Sequence, residues 1–178
     1  MQERLVFSQA FEALVRGLDV DLQKALEPVL HSLGLPRAAP FAPAYPADVY
    51  LKLIDAAART GWPNLPFDEA HFELGKVFMR GLETTFMGRA VLALMRVAGP
   101  RRSLERVARS FRTANNYTQA TTEALEKRRF RVTCECVHRT GFYRGILHQG
   151  LEVSGAQNVE ISLERYENEQ AIYDIRWR

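Results

Sequence analysis

Cys134, Cys136 and His138 are the residues whose types and spacing most directly suggest chemistry, because thiolate and imidazole groups bind zinc and iron. They alternate along an apolar segment, so a strand there would place them on one face about 7 Å apart. A fourth ligand such as His148 would have to complete the site. Free cysteines also behave as small apolar core residues, and the four-ligand spacing of structural zinc sites is missing. The sequence therefore favours core cysteines and no metal.

His71 lies at helical spacing from Leu74, Phe78 and Leu82, the position from which a histidine could bind haem iron. The commoner alternative is a buried histidine that bonds a backbone carbonyl. No haem motif accompanies His71, and we predict that the protein holds no cofactor.

The same segment could also form a pocket for a small apolar ligand. Gly75, Gly81 and Gly88 recur in it, and each interior glycine weakens a helix by about 1 kcal/mol relative to alanine. Close helix packing is the favoured explanation, and a gap for a ligand is the alternative. The candidate pocket residues are His71, Gly75, Phe78, Leu82, Phe86 and Ile146.

Basic charge is concentrated between Arg96 and Arg131, where ten basic and three acidic residues give +7, against +3 for the whole chain and −4 for the remainder. One predicted helix places Leu104, Val107, Ala108 and Phe111 on its apolar face. Its opposite, arginine-rich face is the candidate interaction surface, which comprises Arg102, Arg106, Arg109 and Arg112. An acidic protein is the favoured partner. A nucleic acid or another anionic surface is the weaker alternative, since no nucleic-acid motif accompanies the arginines.

Composition and motifs bound the function further. The 178 residues, 47% hydrophobic and 25% charged, are typical of one globular domain, and no apolar run is long enough to span a membrane. Met1 to Arg4 do not resemble a secretory signal, which predicts a cytoplasmic protein. The chain has no nucleophile elbow, phosphate-binding glycine loop, His-Glu-x-x-His or dinucleotide fingerprint, so we predict that it is not an enzyme.

The chain divides into a mainly helical part, residues 1–116, and a sheet-and-helix part, residues 117–178, within a single domain. In the second part, alternating apolar residues predict a strand over 130–138, and a helix follows up to Gly155. Two more alternating runs, 159–163 and 171–177, predict an antiparallel hairpin. The fold class is therefore α+β, with helices packed on a small antiparallel sheet and a β-β-α-β-β order at the C-terminal end.

In the first part, helical patterns cover 19–33, 46–60, 69–82, 86–98 and a segment from Pro100, and 34–46 reads as a loop. Asp19 and Asp68 are the predicted N-caps of two of these helices. The segment from Arg112 to Tyr117 joins the two parts. Its consecutive asparagines favour a structural joint, with a polar rim of a ligand pocket as the alternative.

Short motifs along nearly the whole chain resemble an uncharacterised paralogous family of myxobacteria, catalogued as a domain of unknown function, to which no biochemical role is attached. The motifs are Leu74-Gly75 to Gly81, Glu83-Thr84-Thr85, Gly88-Arg89, Gly99-Pro100 with Leu104 and Arg106, Phe111-Arg112-Thr113, Asn115-Asn116-Tyr117, Tyr143 to Gly145 and Ile175-Arg176-Trp177.

The end of the chain, Gly145 to Gly155 and Tyr173 to Trp177, also resembles the 4-vinyl-reductase (V4R) type of ligand-binding domain. That fold is shared with bacterial haem nitric-oxide sensors and a vesicle-tethering subunit. The resemblance implies an interior pocket, frequent dimerisation, and sensing or assembly rather than catalysis. The haem propionate signature and the metal-binding cysteine set are missing here, so neither group carries over.

These observations predict a non-enzymatic bacterial interaction or signalling module, which binds another protein or forms a homodimer. A sensor of a small apolar ligand is the first alternative, and a weak binder of nucleic acid or another anionic surface is the second.

Overall fold

The computed structural model of the protein describes residues 3–38 and 40–178, except for the side chain of Ala108. Met1, Gln2 and Ala39, and the apolar contact predicted for Ala108, therefore lie outside the described part. The described residues form, in chain order, β1 (Leu5–Phe7), α1 (Ser8–Gly17), α2 (Val20–Ser32), β2 (Ala44–Pro46), α3 (Ala47–Gly61), α4 (Phe67–Leu82), α5 (Phe86–Glu105), α6 (Val107–Ala114), β3 (Gln119–Glu126), β4 (Arg129–Glu135), α7 (Thr140–Val153), β5 (Glu160–Glu167) and β6 (Gln170–Arg176).

The predicted α+β class and the C-terminal β-β-α-β-β order are confirmed. β3 to β6 form an antiparallel sheet in the order β3-β4-β6-β5. Alternate residues of the two central strands face the core, and cross-strand partners such as Phe130 and Ile175, or Val132 and Tyr173, are all buried. Leu147 and Leu151 of α7 belong to the same apolar cluster, so α7 covers this face of the sheet.

The outer strands of this sheet, β3 and β5, are irregular. The register of β3 against β4 shifts between Ala124 and Glu126, and that of β5 against β6 shifts between Leu163 and Arg165. β5 is exposed along nearly all its length, whereas β6 is mostly buried. The β5–β6 turn consists of Asn168 and Glu169, both at positive φ, as a two-residue hairpin requires.

The helices pack as a second apolar cluster, and α4 lies at its centre. Contacts between α4 and α7 are more extensive than those of any other helix pair, and α1 and α3 also pack on α4. The α4–α7 contact is close because glycines meet at it: a Cβ at Gly75 would overlap the carbonyl oxygen of Phe142, and one at Gly145 would overlap that of Phe72. Close packing therefore explains both glycines, and for Gly75 this is the explanation that the sequence favoured.

Several boundaries differ from the sequence-based expectations. Asp19 caps α2 as predicted, with its Oδ1 2.8 Å from the Leu22 amide nitrogen. Asp68 does not cap α4. Its Oδ1 lies 2.7 Å from the amide nitrogen of Gly141 and 2.6 Å from Oγ1 of Thr140, so it satisfies the N-terminus of α7 instead. Residues 44–46, which were predicted to be loop, pair with β1.

The joint between the two parts of the chain is held by its two asparagines. Asn115 Oδ1 accepts hydrogen bonds from the amides of Tyr117 and Thr118, at 3.1 and 2.7 Å. Asn116 reaches β1, where its Oδ1 lies 2.8 Å from the Leu5 amide nitrogen. The joint thereby ties the start of the sheet to the N-terminal strand.

Candidate functional site

A cavity of about 150 Å³ lies between the helical cluster and the sheet cluster. Helices α5 and α6 form one wall, and α3, α4 and α7 contribute the others. Apolar and aromatic side chains dominate its lining, which includes Ile54, Phe78, Met79, Leu82, Met87, Val91, Met95, Phe111, Phe142, Ile146 and Leu147. The cavity thus separates the two apolar clusters of the protein.

Tyr50 is a lining residue that also carries a buried polar atom. Its side chain packs edge-on against Phe11 and Phe142, with ring centroids 4.9 and 6.2 Å apart, and the residue is 6% exposed. Its hydroxyl is buried and has no hydrogen-bond partner among the described residues. Burial is the main cause that raises the pKa of Tyr50 well above its usual value, with Tyr117 and Tyr143 adding to the effect. The hydroxyl is therefore neutral and free to donate or accept one hydrogen bond.

Tyr143 and Tyr117 are the other tyrosines that line the cavity. The hydroxyl of Tyr143 lies 2.8 Å from Oγ1 of Thr118, and burial again raises its pKa far above the ordinary range. Burial raises the pKa of Tyr117 to about 12 against the opposing charge of Arg4. All three tyrosines line the cavity, and the hydroxyl of Tyr50 differs from that of Tyr143 in having no hydrogen-bond partner among the described residues.

An ion cluster borders the cavity at the start of α7. Arg139 lines the cavity and donates two hydrogen bonds of 2.6 Å to the carboxylate of Asp55 on α3. His71 of α4 bridges to the same carboxylate, with Nε2 3.0 Å from Oδ1 and Nδ1 2.8 Å from the carbonyl oxygen of Phe67. Burial would raise the pKa of Asp55, but the hydrogen bonds from Arg139 and His71 prevail and lower it to about 2. The cluster joins three helices through one charged group.

Phe78, Leu82 and Ile146 line the cavity, as the pocket hypothesis placed them. The other three candidates lie elsewhere. His71 is buried in the ion cluster, Gly75 packs directly against the backbone of α7, and Phe86 is 80% exposed on α5. The sequence analysis missed Tyr50, Tyr117 and Tyr143. A signal for Tyr50 existed, because a phenol within the apolar helical run Leu51, Leu53 and Ile54 needs either a partner or solvent.

The possible metal ligands do not share a strand. Cys136 has φ +59°, which ends β4, and His138 lies beyond it with Nε2 3.1 Å from Nη1 of Arg4. The expected spacing of Cys134, Cys136 and His138 along one face is therefore wrong. Within residues 3–38 and 40–178, no three His, Cys, Asp or Glu side chains are placed to hold a metal ion.

The two thiols should differ sharply in reactivity. Burial raises the pKa of Cys134 to about 12, whereas Cys136 is partly exposed. A maleimide at pH 8 is expected to modify one cysteine of the folded protein and both in denaturant, as counted by mass spectrometry, because the thiolate is the reactive form. In the Cys136→Ser variant the folded protein should stay unmodified. Rapid labelling of that variant would contradict the buried, neutral state of Cys134.

The four arginines of the candidate interaction surface, Arg102, Arg106, Arg109 and Arg112, are all exposed. They do not lie on one continuous helix as predicted. The helix breaks at Arg106, which ends α5 and precedes α6, and α5 itself is kinked at Gly99 with φ +78°. Leu104, Val107 and Phe111 are buried as expected. None of the described helices is both long and apolar enough to cross a membrane.

Solved structures similar to this fold are H-NOX proteins. An H-NOX protein from S. oneidensis in the Fe(II) state matches with a TM-score of 0.71 at 12% identity, covering 97% of this chain and 96% of that one. An unliganded Fe(II) H-NOX protein from K. algicida gives 0.59 at 12% identity, with the same coverage. An oxygen-binding H-NOX domain related to soluble guanylate cyclases gives 0.65 at 9% identity, covering 96% and 94%. The fold resemblance to haem nitric-oxide sensors is thereby confirmed, while the V4R and myxobacterial resemblances remain predictions.

The residues of this chain do not fit a haem. Its cavity has a volume of about 150 Å³, whereas pockets for drug-sized molecules have roughly 300–1,000 Å³. Haem is larger than a typical drug-sized molecule. Of the described residues lining it, His138 is the one histidine, and both its ring nitrogens face Arg4 or Glu169. The raised pKa of Tyr50 disfavours the tyrosinate that could replace a histidine ligand. Arg139, which could bind a propionate, is already paired with Asp55.

No curated protein matches the sequence significantly. The model of one protein family, however, matches residues 4–178, nearly the whole chain. This match confirms the resemblance to a family of unknown function. The chain belongs to the family described as "Protein of unknown function (DUF2378)".

Proposed function

We propose that this protein is a non-enzymatic, cytoplasmic bacterial sensor domain that binds a small, mainly apolar molecule without haem. The single observation that carries the proposal is Tyr50, which lines an apolar cavity and whose buried hydroxyl has no hydrogen-bond partner among the described residues. A buried polar group without a hydrogen bond costs about 1–3 kcal/mol, so a ligand that supplies the bond gains affinity. This supports the sensor, the first alternative from the sequence, over the interaction module that ranked above it.

The size of the cavity limits the ligand. An apolar cavity of about 150 Å³, the volume found here, is known elsewhere to bind benzene or xenon. A diatomic gas without iron would gain at most about 3 kcal/mol, at about 1.5 kcal/mol per atom, which is weaker than a Kd of about 1 mM. A ligand of about seven heavy atoms at about 1 kcal/mol each would reach a Kd on the order of 10 µM. We therefore favour single-ring or short-chain molecules.

The lining also limits the chemistry of the ligand. Met79, Met87 and Met95 line the cavity, and flexible methionines adapt to ligands of different shape. A charged ligand is disfavoured, because Arg139 is neutralised by Asp55. One neutral hydroxyl or carbonyl, placed against Tyr50, is the expected polar feature.

The proposal of a non-enzymatic role is supported by the state of the buried ionisable groups near the cavity. Catalytic nucleophiles and bases need pKa values close to the working pH. Burial instead raises the pKa of Cys134 and Tyr117 to about 12, and that of Tyr143 higher. These side chains are kept neutral rather than activated.

Phenol and toluene provide a matched test, because they have the same number of heavy atoms and differ in one hydroxyl. Wild-type protein is expected to bind phenol about tenfold more tightly than toluene by titration calorimetry, since one hydrogen bond contributes about 1–1.5 kcal/mol. In the Tyr50→Phe variant the hydroxyl of phenol loses its partner, so toluene should bind more tightly than phenol. Equal binding of both by the wild-type protein, or no binding of either, would refute the proposed site.

The same variant gives an independent readout without ligand. Tyr50→Phe should raise the free energy of unfolding by about 1 kcal/mol, because it removes an unsatisfied buried hydroxyl and keeps the ring. Tyr143→Phe is the matched control: it loses the bond to Thr118 and should lower stability by a similar amount. A loss of stability in Tyr50→Phe would mean that its hydroxyl is already satisfied, and the argument for a ligand would fail.

A further inference from the structure

The outer face of α5 carries an apolar stripe that the rest of the described chain leaves uncovered. Phe86, Leu94 and Val97 are 80%, 65% and 88% exposed, and Ala90 and Ala93 between them are exposed as well. Their spacing places them on one side of the helix. Single exposed apolar residues are ordinary, but a contiguous stripe of this kind marks an interaction site.

The segment that carries the stripe is rich in arginine. Between Phe86 and Ala114 the sequence has seven arginines, no lysine and one acid, Glu105, which pairs with Arg101. Arg96 pairs with Glu83, just before the helix. Arginine, phenylalanine and methionine are enriched in protein interfaces, whereas lysine is depleted. The remaining exposed arginines of this segment include Arg89, Arg102, Arg106, Arg109 and Arg112.

We propose that this face of α5 binds an amphipathic helix of another protein, whose apolar stripe is bordered by aspartate and glutamate. The small side chains of Ala90 and Ala93, between larger neighbours, allow the close approach of a second helix. Acidic residues on the partner would pair with the arginines and set its orientation. The inference rests on the surface alone and does not depend on the ligand proposed for the cavity.

Two other occupants are disfavoured by the same observations. In a symmetric dimer through this face, the arginines of both copies would border one interface, and like charges there oppose association. Helices that lie on membranes commonly carry interfacial tryptophan or tyrosine beside their basic residues, and residues 86–114 contain neither. The absence of these anchoring aromatic residues therefore favours a protein helix.

A displayed library of helical peptides tests the proposal with the full-length protein as bait. The peptides share one leucine stripe, and the positions beside it vary among Glu, Gln and Lys. We expect selection of peptides with Glu at these positions, and the best of them should bind at least tenfold more tightly than its Lys counterpart in fluorescence anisotropy. Added salt should weaken the binding of the Glu peptide, because it screens the attraction to the arginines, and should not weaken the binding of the Lys counterpart.

Variants localise the binding. The double substitution Leu94→Ser and Val97→Ser changes only exposed positions, so it should leave folding intact. It should weaken the binding of the selected peptide at least tenfold. Val20→Ser, an exposed apolar position on α2, is the matched control and should change nothing. No enrichment over the library, or enrichment that the double substitution leaves unchanged, overturns the proposal.

The other occupants have their own outcomes. A dimer in sedimentation that the double substitution dissociates would assign the stripe to a second copy. Binding to phosphatidylglycerol vesicles that the same substitution abolishes, without any peptide selection, would assign it to a membrane surface. Either result overturns the protein-helix proposal, and neither bears on phenol binding in the cavity.

Discussion

Replacing Gly145 by alanine is expected to lower the free energy of unfolding by about 3 kcal/mol, the largest single effect we anticipate. The new Cβ would overlap the carbonyl oxygen of Phe72 and lie 3.0 Å from Cα of Gly75. Both obstacles are backbone atoms of α4, so α4 and α7 must move apart along their most extensive contact. This loss exceeds the gain of about 1 kcal/mol that alanine brings to a helix interior.

Urea denaturation followed by circular dichroism measures this loss as a lower midpoint at an unchanged slope. Gly150→Ala is a matched control on the same helix, since its Cβ would meet only the terminal methyl groups of Met95 and Met79, at 3.2 and 3.5 Å. Those flexible ends can move, so the control should lie within about 1 kcal/mol of wild type. Equal losses in both variants would contradict the close approach of α4 and α7 at Gly145 as the cause of the loss.

Asp55→Asn is expected to destabilise the protein by about 2 kcal/mol at pH 7. It removes the carboxylate that accepts from Arg139 and His71, and leaves the guanidinium of Arg139 partly buried without its counter-charge. The side chains of Asp55 and Arg139 are 23% and 25% exposed, which keeps the loss below that of a fully buried pair. Asp48→Asn, on the same helix but 62% exposed beside Lys52, should cost less than about 0.5 kcal/mol.

The pH dependence of the Asp55→Asn effect follows from the lowered pKa. Asp55 has a pKa of about 2 in the folded protein, below its value of about 3.9 when unfolded. Its contribution is therefore complete above about pH 4 and disappears as the pH falls towards 2. The difference between wild type and Asp55→Asn should shrink over this range. Hydrogen bonds from Arg129 also lower the pKa of Asp174 to about 2. Asp174 is present in both proteins, so its contribution cancels in the difference. A difference that is constant from pH 7 to 2 would contradict the assignment.

The sheet-and-helix part was predictable because its signals are local. Alternating apolar residues define β4 and β6, and the glycine at 155, with φ +96°, ends α7 as expected. Cys136 shows the limit of this reasoning. It continues the alternation in sequence, but its left-handed backbone ends the strand.

Long-range partners were not predictable in the same way. Asp68 has the sequence context of a cap for its own helix, yet its carboxylate satisfies the start of α7, more than seventy residues away. The pairing of residues 44–46 with β1 depends equally on tertiary contacts.

The cavity was predicted in part. Phe78, Leu82 and Ile146 were placed there from helical periodicity, which identifies core-facing positions. Periodicity does not distinguish a filled core from a cavity, and His71 and Gly75 face α3 and α7 instead. The exposed position of Phe86 contradicts the usual burial of phenylalanine, and such exceptions indicate function more than packing.

The register shifts at both outer strands of the sheet bear on how copies of this protein behave at high concentration. A regular edge strand offers unpaired amides and carbonyls to a strand of another molecule, which leads to aggregation. Here β3 and β5 each interrupt that row, near Glu126 and Arg165 respectively, and both strands carry exposed charges. Sheet extension between molecules is thereby blocked at both ends, so the protein can keep an uncovered apolar helix for recognition without its sheet joining neighbours into fibrils.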